Sequence, residues 1–184
     1  MSKMSEFDVI TDPAGFYVPL FTPDNGGLNR RGLLQKLGLP WMVAQSAVAA
    51  SVTATTAEET LATVTLPGGS LGANGSLLIE ALWSANSDAD DKTVRFKLGG
   101  TTFQQVLVTT SVTVFNSVTI FNRNSQSSQV ANQLSGGYGA SANAVVTGSI
   151  ATASDQTILI TGQKEQAADT LTLEAYRILA LYKE

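Results

Sequence analysis

Residues 92–98 read Lys92-Thr93-Val94-Arg95-Phe96-Lys97-Leu98, and Gly99-Gly100 follows. Val94, Phe96 and Leu98 alternate with Thr93, Arg95 and Lys97. A two-residue period of this kind marks a strand with one face in a core and the other in water, and the paired glycines turn the chain back. The same period continues on both sides. Upstream, Ala62, Val64 and Leu66 alternate with Leu61, Thr63 and Thr65 until Pro67-Gly68-Gly69 breaks the run. Asn74-Gly75 signals a tight turn, Leu77 to Trp83 is a mostly apolar strand, and Ser84 to Asp91 is a polar loop. Downstream, Phe103, Val106, Val108, Val112, Val114, Val118 and Ile120 supply strand material, and 126–139 is a polar loop or loose strand. Residues 143–150, 156–161 (through Ile158 and Ile160) and the long run Leu171 to Tyr182 complete the set.

Roughly eight strands at spacings of about 8–15 residues, with no long amphipathic helix between them, predict an all-β, antiparallel β-sandwich. Eight strands favour a jelly roll over the seven-stranded immunoglobulin type, although spacing does not reveal strand order. There is no fixed-period repeat and no heptad run.

Residues 1–52 differ from 53–184. Asp12-Pro13-Ala14-Gly15, Thr22-Pro23-Asp24-Asn25-Gly26-Gly27 and Leu39-Pro40 break the chain repeatedly, and proline cannot join a central strand. One short helix is expected, capped by Asn29, running Arg30 to Leu37 with Leu33, Leu34 and Leu37 on one face, and stopped by Gly38. Too few apolar positions are present for a separate core, yet Phe7, Phe16, Tyr17, Phe21 and Trp41 are here. The expectation is an extended N-terminal arm (1–52) that docks on another protein through Phe7, Phe16, Tyr17, Phe21, Leu33, Leu34, Leu37 and Trp41, followed by the sandwich (53–184). The alternative is that these aromatics pack back on the chain's own sandwich.

The sequence has neither Cys nor His. Disulfide frameworks, thiolate metal sites and Ser-His-Asp or Cys-His catalysis are therefore excluded. Charged residues make up 14% and the net charge is −4, against about 25% charged in an ordinary domain. No Lys/Arg cluster is available to neutralise phosphates, so no nucleic-acid partner is expected. The longest apolar-leaning run, Leu39 to Ala50, is interrupted by Gln45 and Ser46 and falls short of the ~20 residues that span a membrane, so no membrane insertion is expected. The acid in Met1-Ser-Lys-Met-Ser-Glu-Phe-Asp does not suit a signal peptide, and assembly in a cytoplasm is expected.

Between Leu98 and Ser154 there is one charged side chain, Arg123. A monomer normally carries Lys and Glu on the outer face of each strand, whereas interface cores are depleted in charge. Much of this stretch is therefore expected to be covered by further copies of the chain, and closed symmetry is the usual way to do that. A Thr/Ser-rich monomer surface is the competing reading.

The segment Thr60-Leu-Ala-Thr-Val-Thr-Leu-Pro-Gly-Gly-Ser-Leu-Gly-Ala-Asn-Gly-Ser-Leu-Leu-Ile-Glu-Ala-Leu-Trp83, with Asp91-Lys-Thr-Val-Arg-Phe-Lys-Leu-Gly-Gly-Thr101, resembles small tailed-phage virion proteins with a trimeric, tumour-necrosis-factor-like jelly-roll knob. The resemblance covers about residues 55–184 and contains no catalytic motif. It implies a homotrimer in the virion, acting as capsid decoration or head fibre and docked on capsid or tail through residues 1–52. The alternative it leaves is the receptor-binding tip of a tail fibre that recognises a host surface glycan or protein through loops 84–91 and 126–139.

Catalysis finds little support. Asp88, Asp90 and Asp91 cluster in a loop but lack the spacing of an EF-hand; a solvated acidic loop is the simpler expectation. Glycosidases need two carboxylates at a set separation, and Glu58, Glu59, Glu80, Asp155, Glu165, Asp169 and Glu174 sit in no motif. The glycine pairs lack the Lys-Ser/Thr and helix of a phosphate loop. The chain is expected to be no enzyme and to need no cofactor or metal.

Overall fold

A computed structural model describes residues 8–11, 17–20, 38–132 and 142–184. The strands are β1 (Asp8–Thr11), β2 (Tyr17–Leu20), β3 (Trp41–Ser46), β4 (Ala50–Ser51), β5 (Glu59–Leu66), β6 (Ser76–Ala85), β7 (Lys92–Leu98), β8 (Thr101–Val108), β9 (Thr113–Asn122), β10 (Gln129–Ala131), β11 (Val146–Gly148), β12 (Gln156–Lys164) and β13 (Leu171–Leu181). Every pairing is antiparallel and there is no helix among the described residues, so the all-β expectation holds for them. The helix expected over Arg30 to Leu37 lies outside the described residues.

β1 and β2 pair with each other as a two-stranded sheet. The remaining strands form two sheets. The large one runs β11-β10-β9-β6-β13-β3, with β4 also on β13, and the small one runs β5-β12-β7-β8. The pairs β7·β8, β6·β9, β5·β12 and β3·β13 are nested in sequence, as if one long hairpin had been wound over both sheets. At its tip, Gly99 and Gly100 have φ of 52° and 83°, and two positive-φ residues in a two-residue loop match the right-handed twist of the strands they join.

The two sheets share one core. Leu77, Ile79, Ala81 and Trp83 of β6, with Val118 and Ile120 of β9, face Val94, Phe96 and Leu98 of β7 and Ile158 and Ile160 of β12, all in a single buried cluster. Burial of each such side chain stabilises the fold by about 1.5–3 kcal/mol. The indole N–H of Trp83 donates to Asn116 Oδ1 (2.9 Å), Asn116 Nδ2 to Gln104 Oε1 (3.2 Å), and Gln104 Nε2 to the Ser117 carbonyl (2.8 Å). Polar groups in the core are thereby satisfied across the β8–β9 connection. Gly75 enters β6 through a gap that a Cβ would close, 1.8 Å from the Leu71 carbonyl oxygen.

The structure moves one boundary. β3 and β4 lie ahead of residue 53 yet pair with β13 at the edge of the large sheet, and Trp41 and Val43 pack against the core. The sheet thus starts at Trp41, within the stretch assigned to the arm. The breaker Leu39-Pro40 masked a short strand whose partner is far away in sequence.

Candidate functional site

Alternation in the large sheet places a defined set of residues on its outer face. In β6 the outward residues are Ser76, Leu78, Glu80, Leu82 and Ser84; in β9 they are Thr113, Phe115, Ser117, Thr119 and Phe121. Register aligns them in cross-strand rows: Ala175·Leu82·Phe115, Arg177·Glu80·Ser117, Leu179·Leu78·Thr119 and Leu181·Ser76·Phe121. β3 adds Met42 beside Leu179, and β10 adds Val130 beside Phe121. Phe115 is 64% exposed, Phe121 49% and Met42 46%, and Leu82 and Leu181 are exposed too. Exposed apolar side chains scattered singly are ordinary; a contiguous set on one sheet face marks a contact surface.

One ion pair interrupts this face. The Arg177 guanidinium donates to the Glu80 carboxylate across adjacent strands, and this contact raises the Arg177 pKa further above its ordinary value. Glu174 accepts from the Ser84 hydroxyl. Around the ion pair lies a groove of about 180 Å³, lined by Gln45, Glu80, Leu82, Phe115, Tyr176 and Arg177 among others. A β-bulge between Leu173 and Ala175 lies beside it, and a bulge bends the strand and shifts the phase of its side chains. Leu171 and Leu173 point inward before the bulge, and Ile178 and Ala180 after it.

The outer face of the small sheet is unlike this. Thr63, Thr65, Thr157, Arg95, Lys97 and Gln105 make up most of it, with Leu159 and the exposed Leu107 as its apolar side chains. Glu58 binds Lys97 Nζ at 2.5 Å, Arg95 at 3.6 Å and the Thr161 hydroxyl at 2.5 Å. Burial raises the Glu58 pKa, but the Lys97 and Thr161 hydrogen bonds and the Arg95 charge outweigh it and hold the carboxyl below its ordinary value.

At one end of the molecule the acidic loop closes over a buried cation. Lys92 shares the inward phase of Val94 and is fully buried. Its ammonium lies 2.5 Å from Asp88 Oδ1 and 3.7 Å from Asp169 Oδ2, and donates to the Asp90 carbonyl at 3.0 Å. Asp88, Asp90 and Asp169 bring carboxylate oxygens within 4.8 Å of one another. The Lys92 hydrogen bond lowers the Asp88 pKa, while burial and the neighbouring acids raise that of Asp90. The lysine ammonium already balances Asp88 and lies near Asp169, so the cluster reads as an internal ion network.

Of the residues expected to dock, Phe7, Phe16, Phe21, Leu33, Leu34 and Leu37 lie outside the described residues, and Tyr17 opens β2, of which the backbone is described. Trp41 sits in β3 against the core. The apolar outer face is the feature that sequence reading missed. Phe115 and Phe121 are in phase with each other and out of phase with Val118 and Ile120, a signal visible once the core phase of β9 is fixed.

No protein family and no curated protein matches the chain. Among solved structures, it has a likeness to one described as "Structure of infectious bursal disease virus Gx strain", with 12% identity and a TM-score of 0.25, covering 96% of this chain and 46% of that one. The chain thus spans about half the length of that neighbour, and a likeness this shallow fixes neither fold nor activity.

Proposed function

We propose that the chain is a structural protein of a virus particle, the self-associating knob of a tailed-phage capsid decoration or head fibre, trimeric and held on the particle by its N-terminal residues. The observation that carries this reading is the contrast between the two outer faces. An outer face several strands wide that exposes Met42, Leu82, Phe115, Phe121 and Leu181 among Ser and Thr, and whose one Arg–Glu pair is internally neutralised, is an aggregation hazard on a free monomer. Closed association of like subunits removes the hazard. The nested pairing of β3·β13, β5·β12, β6·β9 and β7·β8 is the strand order of a jelly roll, a fold used for capsid domains. Several of the carboxylates considered for catalysis are held in ion pairs: Glu58 with Lys97, Glu80 with Arg177, Asp88 and Asp169 with Lys92. This supports a structural role and no enzyme.

The docking set in this proposal is Phe7, Phe16, Tyr17, Phe21, Leu33, Leu34 and Leu37; Trp41 leaves it, because it is engaged with the core. Removal of residues 1–37 spares β3 and is expected to leave a folded, assembled knob that no longer binds particles. A truncated knob that still decorates virions would refute the arm as anchor. Binding of the full chain to purified tails and not to capsids would replace the decoration reading with the tail-fibre tip.

A further inference from the structure

We infer that the groove beside the Arg177–Glu80 pair is the receptor for Phe121 of a second copy of this chain. This deepens the self-association reading and rests on it. The chemistry of the groove selects an aromatic, uncharged occupant. Its cation and its anion already satisfy each other, so a charged partner gains little there and is desolvated at a cost. Phe115 lines the groove, Tyr176 borders it from the core side, and Arg177 presents a half-exposed guanidinium; a ring entering here packs against Phe115 and beside a cation. The groove holds about 180 Å³, and an apolar cavity of about 150 Å³ accommodates a benzene ring.

The same face supplies such a ring. Phe121 is 49% exposed, in a neutral setting of Leu181, Ser76 and Val130. It lies six residues from Phe115 on β9, roughly 20 Å along the strand at ~3.3 Å per residue. It therefore cannot fill the groove of its own subunit and is free to enter that of a second copy. Three long strands about 4.8 Å apart with five outward rows about 6.7 Å apart, extended by the shorter β3 and β10, give a face of very roughly 600 Å², approaching the ~800 Å² that each partner contributes to a standard stable interface. Area, neutrality and the pairing of a bare ring with an unfilled groove all favour a second copy as occupant.

The test uses the full chain with the photoreactive aromatic p-benzoylphenylalanine in place of Phe121. On irradiation, crosslinks to a second copy at 45–47, 80–82 or 175–177, mapped by peptide mass spectrometry, are expected. In parallel, Phe121→Ser is expected to weaken self-association about 100-fold by sedimentation, the effect of losing a buried aromatic anchor. Leu107→Ser, at an exposed position on β8, is expected to leave it unchanged. Crosslinks that map elsewhere on a second copy would overturn the register while leaving self-association standing. A monomeric wild-type chain would overturn both. A groove that remains open in the assembled protein and binds a host glycan, or crosslinks to a different virion protein, would replace the second copy as occupant.

Discussion

The two sheets of this molecule are built from similar strands, but they treat charge in opposite ways. The small sheet carries Glu59, Lys92, Arg95, Lys97 and Lys164; Arg95 and Lys97 pair with Glu58 on its outer face, Lys92 is buried against Asp88, and the buried Lys164 donates to the Ala167 and Asp169 carbonyls. The strands of the large sheet carry only Glu80, Glu174 and Arg177, and the outer face there presents Met42, Leu82, Phe115, Phe121 and Leu181. Both sheets bury the same kind of inner side chains in one cluster, so the difference is not a demand of folding. It teaches that charge depletion in this sequence is a property of one surface, the outer face that we propose is covered by further copies of the chain.

The largest effect is expected where an ion is buried on the small sheet's side. Lys92→Met keeps the length of the side chain and removes the cation among Asp88, Asp90 and Asp169. Breaking a buried ion pair from one side typically costs 3–5 kcal/mol, and a loss of about that size is expected in chemical denaturation. A variant as stable as wild type would show that the acids there do not depend on the lysine. A smaller effect, and one that separates the faces directly, comes from one acid placed on each. Phe115→Asp is expected to leave the fold intact and weaken assembly about 100-fold, roughly 2.7 kcal/mol. Thr157→Asp, outward on β12, is expected to change neither stability nor assembly by more than about 0.5 kcal/mol. Sedimentation and thermal unfolding of the two variants together decide whether the faces differ as described.

How much of this was legible in the sequence follows from the length of each periodic run. β7 matches its reading residue for residue, because its alternation is uninterrupted from Lys92 to Leu98. β13 was legible as a strand but not in its facing, since the bulge after Leu173 exchanges inside and outside part-way along. β3 was hidden because it is short, follows Pro40 and finds its partner in the last strand of the chain. The depletion of charge from Leu98 to Ser154 took in only part of the exposed apolar face: Leu82, Met42 and Leu181 complete it from outside that stretch. Non-local pairing assembled the surface, and one-dimensional spacing does not carry that information. The sign of Lys92 was also available, since its parity with Val94 directs it inward, where a lysine must find anions.

The smallest effect lies on the small sheet's outer face. Glu58 has its pKa held below the ordinary carboxylate value by Lys97, Thr161 and Arg95 against the opposing effect of burial. A carboxyl depressed in the folded state contributes stability that is fully present above its unfolded value, near 4.3, and that is lost as pH falls through the folded value. Glu58→Gln is therefore expected to be less stable than wild type at neutral pH, by less than about 1 kcal/mol because the pair is part-exposed, and to converge with it in acid. Other groups titrate in the same window, Asp88 downward-shifted and Asp90 upward-shifted, but they are common to both proteins and cancel in the difference of melting temperatures. Added salt is expected to narrow the gap at neutral pH, since a screened pair contributes less. A gap that stays constant from neutral to acid pH would mean that Glu58 acts through packing, and that the ions on this face are solvated individually and not as a network.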